Sequence, residues 1–132
     1  MIKWQEAYSV GVDELDAQHK DLFTFSNDLD GILQDRDVSK EMLGGALAFM
    51  GKYVSNHFGK EEACMNRFAC PIAANNKLAH DQFIQAYRVF EKQIGQQEDG
   101  YGLLKELHAF LERWLVDHIC TIDTQLKPCV HQ

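Results

Sequence analysis

Polar residues interrupt the apolar spacing of this chain at positions where a packed interior is expected: His19, then His57 with Glu61, then Asn76 with His80, then His118. Burying such groups without partners costs on the order of several kcal/mol each, so their placement calls for a compensating interaction. His57 and Glu61 are four residues apart, as are Asn76 and His80, and on a helix each pair shares one face about one turn apart. Taken singly, any of these histidines reads as a hydrogen-bonded core residue. Taken together, four histidines and a carboxylate turned into one interior would form a costly polar network unless a metal centre met them. Imidazole and carboxylate suit iron, zinc, copper or manganese, and ligand softness selects none of these. Asp123 follows His118 by five residues, about 140° around an ideal helix, so periodicity does not single it out.

The elements that must position these residues are helices. Turn signals cut the chain into four long segments, with no internal repeat, low-complexity tract or strand-like alternation. The first runs roughly over 12–34, with Leu15, His19, Leu22, Leu29 and Leu33 at three-four spacing, and Asp35-Arg36-Asp37 closes it. The second, roughly 39–67, has Ser39 as a candidate N-cap and a stripe of Met42, Ala46, Phe49, Tyr53, His57, Glu61 and Cys64. Gly44, Gly45, Gly51 and Gly59 weaken that helix by about 1 kcal/mol each against alanine, so packing must hold it, with close helix approach as one reason for them. The third, roughly 71–95, takes Pro71 as its first residue and turns Ile72, Asn76, His80, Phe83, Tyr87, Phe90 and Ile94 inward, followed by a loop at Gln96-Gln97-Glu98-Asp99-Gly100. The fourth, roughly 101–126, carries Leu104, Leu107, Leu111, Trp114 and His118, and Pro128 is expected to end it. Four amphipathic helices with short connections give an all-α fold, an antiparallel up-down-up-down four-helix bundle.

Composition removes several classes. The chain has 132 residues, enough for one domain with a real core, and a formal net charge of -7. An acidic chain without a Lys/Arg cluster is no partner for nucleic acid or anionic headgroups. Polar-free stretches such as Ala69 to Ala74 are too short to span a bilayer, and the N-terminus has no secretory apolar run, so a cytoplasmic location is expected. Cys64, Cys70, Cys120 and Cys129 are irregularly spaced without a C-x-x-C pair. They are expected to be free thiols, Cys64 and Cys120 packed and Cys129 at the surface.

The chain resembles the hemerythrins, most closely their bacterial branch. The resemblance rests on Trp4, on Ser9-Val10-Gly11-Val12-Asp13 leading to Asp16-Ala17-Gln18-His19-Lys20, and on His57-Phe58-x-x-Glu61-Glu62-x-x-Met65. It continues through Cys70-Pro71, His80-x-x-Phe83 and Trp114-Leu115-x-x-His118-Ile119-x-x-x-Asp123. It implies two iron ions, Fe2+ or Fe3+, sharing an oxo or hydroxo bridge, with dioxygen as ligand. One iron would take His19 and His57 and the other His80 and His118, with Glu61 and Asp123 bridging. Trp114, Leu115 and Ile119 resemble the lining of the family's oxygen pocket, and read equally as core. The family pattern on the third helix is H-x-x-x-H, whereas this chain has Asn76-Lys77-Leu78-Ala79-His80, which leaves Asn76 as a weak ligand or a residue behind the ligands. His108 lies about 15 Å from His118 along the helix and cannot replace the missing ligand, and His131 sits in a tail beyond Pro128.

A ferritin-like oxidase would need two E-x-x-H motifs, and a zincin hydrolase H-E-x-x-H; neither is present. The expectation is therefore a binding or sensing domain and no enzyme, with weak oxidase or peroxidase activity at most on the side. An oxygen or redox sensor acting on a fused or separate signalling output leads, and a stand-alone oxygen carrier or store is the alternative. No output domain lies within these residues, and dioxygen or small anions are the expected ligands.

Overall fold

The computed structural model describes residues 2–35, 38–94, 100–121 and 125–130. Among them the apolar spacing resolves into α1 (Asp13–Asp35), α2 (Lys40–Arg67), α3 (Ala73–Ile94), α4 (Gly100–Thr121) and a short α5 (Leu126–Val130), after a single 3-10 turn at Glu6–Tyr8. No strand occurs among the described residues. Each long helix packs on the next in the chain, and α4 closes the ring against α1. This is a four-helix bundle, all α, as the periodicity predicts.

Local chemistry explains the ends. The Ser39 hydroxyl accepts the Met42 N–H at 3.1 Å and caps α2. Asp13, Glu14 and Asp16 place negative charge at the start of α1, where the helix dipole favours it. Asp16 also organises the chain before α1, accepting the Ser9 hydroxyl at 2.6 Å and the Val10 N–H at 2.8 Å, while Gly11 takes the left-handed conformation that lets the chain turn in. Ile2 exchanges two hydrogen bonds with the Asn27 side chain, so the N-terminal arm lies along α1 and sets Trp4 edge-on to Phe23.

At the end of α2, the Ala69 N–H bonds Asn66 C=O at 3.2 Å and the Cys70 N–H bonds Met65 C=O at 2.9 Å. That pair is a Schellman motif, with Ala69 at φ 52° where glycine is usual. It turns Cys70 into a small second core with Val10, Leu15, Met65, Leu126 and Cys129. The main core is built from the leucines of α1, α2 and α4 with Phe23, Phe58 and Phe83.

Four expectations need correction. The buried stripe of α2 is Leu43, Leu47, Met50, Val54, His57, Phe58, Glu61 and Met65, whereas Met42 and Phe49 are exposed. Two stripes one residue apart have the same period, and the aromatic at 49 drew the reading to the wrong one; Phe49 instead packs against Phe25 and Tyr53 on the outside. Pro71 lies in a turn just ahead of α3. Pro128 sits inside α5, in its first turn, where no intrahelical N–H is required of it. Cys70 and Cys129 form a disulfide, with Cα atoms 5.8 Å apart, and Cys129 is buried rather than at the surface. Cys64 is a free thiol at the margin of the second core. The Cys120 side chain, Arg36-Asp37, the connection 96–99 and His131 lie outside the described residues. No described helix is long and apolar enough to cross a membrane.

Candidate metal centre

The three-four stripes of the four long helices meet at one level of the bundle, and the polar interruptions meet with them. His19 comes from α1, His57 and Glu61 from α2, His80 from α3 and His118 from α4, all buried. Glu61 stands at the middle. Its Oε2 is 3.0 Å from His19 Nε2 and 3.4 Å from His57 Nε2, and its Oε1 is 3.0 Å from His80 Nε2 and 3.6 Å from His118 Nε2. The carboxylate thus divides the histidines into two pairs, one to each oxygen, and two triads result: His19, His57, Glu61 and Glu61, His80, His118.

Electrostatics favours the ionised carboxylate. Burial pushes the Glu61 carboxyl upward, but the hydrogen bonds that the His118, His19, His57 and His80 rings donate whenever they carry a proton on Nε2 outweigh it and hold the group well below the ordinary carboxylate range. The same charge acts on Cys64, whose thiol is raised first by burial and then by Glu61, against a smaller lowering by Arg67. Cys64 belongs to neither triad.

Whether a cation fits is decided by the outer ring nitrogens. His57 Nδ1 donates to Gln18 Oε1 at 2.6 Å, and His80 Nδ1 donates to Glu62 Oε2 at 3.0 Å. In a neutral ring this leaves Nε2 with a lone pair pointed at Glu61, acceptor against acceptor. His80 Nε2 also faces His118 Nε2 at 3.2 Å. A cation in each triad would turn these oppositions into ligand bonds. The donor set fits metal, and Gln18 and Glu62 fix the ring tautomers that present Nε2 to it.

Aromatic rings wall the site on one side. Phe58 stacks flat on His80, centroids 3.8 Å apart, and Trp114 stacks on His118 at 4.3 Å. Of the three residues expected to line an oxygen pocket, Leu115 and Ile119 are buried in the main core and Trp114 is half-buried at its margin. Asn76 is fully buried on α3, one turn before His80. Asp123 lies outside the described residues. His108 is away from the centre, 3.2 Å from Glu112 of its own helix.

Sequence reading missed Gln18, Glu62 and Phe58 as parts of the site. Glu62 and Gln18 each adjoin a ligand candidate in sequence, and that adjacency is the signal that could have found them: a residue next to one inward-facing side chain is turned about 100° toward the neighbouring helix.

Comparison with known proteins agrees with the geometry. Residues 10–130 match the family described as the hemerythrin HHE cation binding domain. A bacteriohemerythrin of Stenotrophomonas maltophilia is 29% identical over 119 residues, covering 90% of this chain and 74% of the relative. A bacteriohemerythrin of Clostridium acetobutylicum is 27% identical over 128 residues, covering 95% of this chain and 98% of the relative. A hemerythrin-like protein of Naegleria gruberi is 30% identical over 124 residues, covering 94% and 89%. With its bundle, its two triads sharing one carboxylate and this match over most of its length, the chain belongs to the hemerythrin family of di-iron, oxygen-binding domains.

Proposed function

We propose that residues 1–132 form one hemerythrin-like domain whose centre holds two irons through His19, His57, His80, His118, Glu61 and Asp123, and that it reports oxygen or redox state to a fused or separate signalling output. One observation carries the metal assignment: a fully buried carboxylate offers each oxygen to a different histidine pair. When bound, the irons supply a reversible electron source to which dioxygen can attach. The protein's residues do the rest. Glu61 spans the two metal positions, Gln18 and Glu62 hold the rings of His57 and His80, and Leu115 and Ile119 with the stacked Phe58 and Trp114 keep bulk water away.

The likeness to bacteriohemerythrins supports binding rather than turnover, with oxidase or peroxidase activity only incidental. The sensing role rests on Asn76, which leaves one metal with fewer strong ligands than the family pattern implies. Oxygen held at such a centre should be released or consumed sooner, which suits a sensor better than a store. A carrier or storage role has its own support: the match spans 98% of the Clostridium relative, so a bacteriohemerythrin of about this size exists by itself. The cytoplasmic location belongs to this proposal too, and there the Cys70–Cys129 pair would face a reducing milieu.

Metal analysis of protein from iron-replete cells, followed by absorbance on mixing the reduced protein with dioxygen, tests the reading. Two irons per chain and a reversible oxygen-dependent band are expected. Zinc alone, or no metal, sinks the di-iron assignment. To separate sensor from store, the lifetime of the oxygenated form is compared with that of Asn76→His; the histidine should prolong it, and an equal or shorter lifetime removes the argument for sensing.

A further inference from the structure

Asn76 is fully buried, and neither its amide nitrogen nor its amide oxygen has a hydrogen-bond partner among the described residues. Buried amides are almost always satisfied, so two orphaned atoms on one side chain point to a partner that is not part of the polypeptide. Its place in the fold says where that partner sits. Asn76 precedes His80 by four residues on α3 and shares its face, and His80 Nε2 lies between Glu61 Oε1 and His118 Nε2.

We propose that Asn76 opens a second exchangeable coordination position, at the metal held by His80 and His118, beside the one where the resemblance puts dioxygen on the metal held by His19 and His57, and that its amide hydrogen-bonds the small anion or water bound there. The proposal rests on the di-iron reading. Reach argues for a guest between amide and metal: the amide atoms end two bonds beyond Cβ, whereas an imidazole Nε2 ends three bonds beyond it. A neutral amide oxygen is also a weak ligand. An amide can present either end, donating through Nδ2 to an anion or accepting through Oδ1 from a bound water, so it tolerates exchange. Charge favours an anion. Two iron cations would face one carboxylate from Glu61 and one from Asp123, leaving the centre electropositive.

Azide is the probe. The full chain, loaded with iron and oxidised, is titrated with azide by absorbance, with iron measured per chain. Two azides per two irons are expected for the unaltered chain and one for Asn76→His, whose imidazole fills the second position. Asn76→Leu should still take two, with the second weakened about tenfold or more, the loss expected for one hydrogen bond to a charged group. Two irons with a single azide in the unaltered chain would overturn the proposal while leaving the di-iron centre intact. Fewer than two irons overturns both. Should Asn76→His fail to hold iron, Asn76→Leu decides, and an unweakened second azide refutes the role of the amide.

Discussion

Glu61 contacts all four histidines, and this sharing has a consequence for its removal. Glu61→Ala should release both metals rather than one, because each loses a ligand and the two cations lose the negative charge between them. Metal content per chain checks this against Cys64→Ser, which should keep its full complement; a variant of Glu61 retaining one tight metal would argue against a shared carboxylate. Glu62 acts one step further out. Glu62→Leu leaves all ligands in place but frees the His80 ring, and should weaken metal binding by roughly 10–100-fold in chelator competition. An unchanged affinity would mean that the stacked Phe58 ring alone orients His80. These two glutamates also mark what sequence can reveal. Glu61 was readable because a carboxylate on an apolar stripe is out of place, whereas Glu62 looks like any solvent-facing acid until α3 is packed beside it. Asn76 was readable as an anomaly of spacing, but its orphaned amide emerged only from burial.

Helix α2 carries four of the glycines singled out from sequence, and only Gly51 sits at a close approach of helices. A Cβ there would run into the Tyr87 ring, whose hydroxyl donates to Leu47 C=O at 2.6 Å and ties α3 to α2. At Gly45 a Cβ meets nothing. Gly45→Ala should therefore raise stability by about 1 kcal/mol through helix propensity alone. Gly51→Ala should lower it by about 1–3 kcal/mol despite the same gain, because the ring must move and the hydrogen bond breaks. Denaturant melts of the metal-free variants separate the two, and a stabilising Gly51→Ala would show that Tyr87 shifts freely. At the other end of α2, Ala69 holds a left-handed conformation that glycine adopts without strain, so Ala69→Gly should add up to about 1 kcal/mol. The helices themselves were legible because their period, caps and breakers agree. The face of α2 was not, since stripes at 42, 46, 49 and at 43, 47, 50 have the same period and only the neighbouring helices choose between them.

The whole molecule is closed by a link that no local pattern announces. Cys70 and Cys129 are 59 residues apart, and they meet because the Schellman turn after α2 and the short α5 fold onto the same small core. Chain spacing without a C-x-x-C pair gave no hint of it, since the pairing is a product of tertiary structure. A loop of that length closed in the unfolded state is worth about 4 kcal/mol, so Cys129→Ser, or reduction, should lower stability by up to that amount. The effect should also reach the metals. Asp123, the second bridging ligand that the resemblance implies, falls between α4 and α5, and the disulfide with Leu126 holds α5 down. Without the covalent link that end loses one of its anchors beside Leu126, and it should open more often. Iron should then pass to a chelator faster from Cys129→Ser than from the unaltered chain, while helical content by circular dichroism stays the same because α1 to α4 keep their own core. Equal rates of iron loss would mean that the apolar anchor suffices and that the disulfide stabilises the chain without guarding its centre.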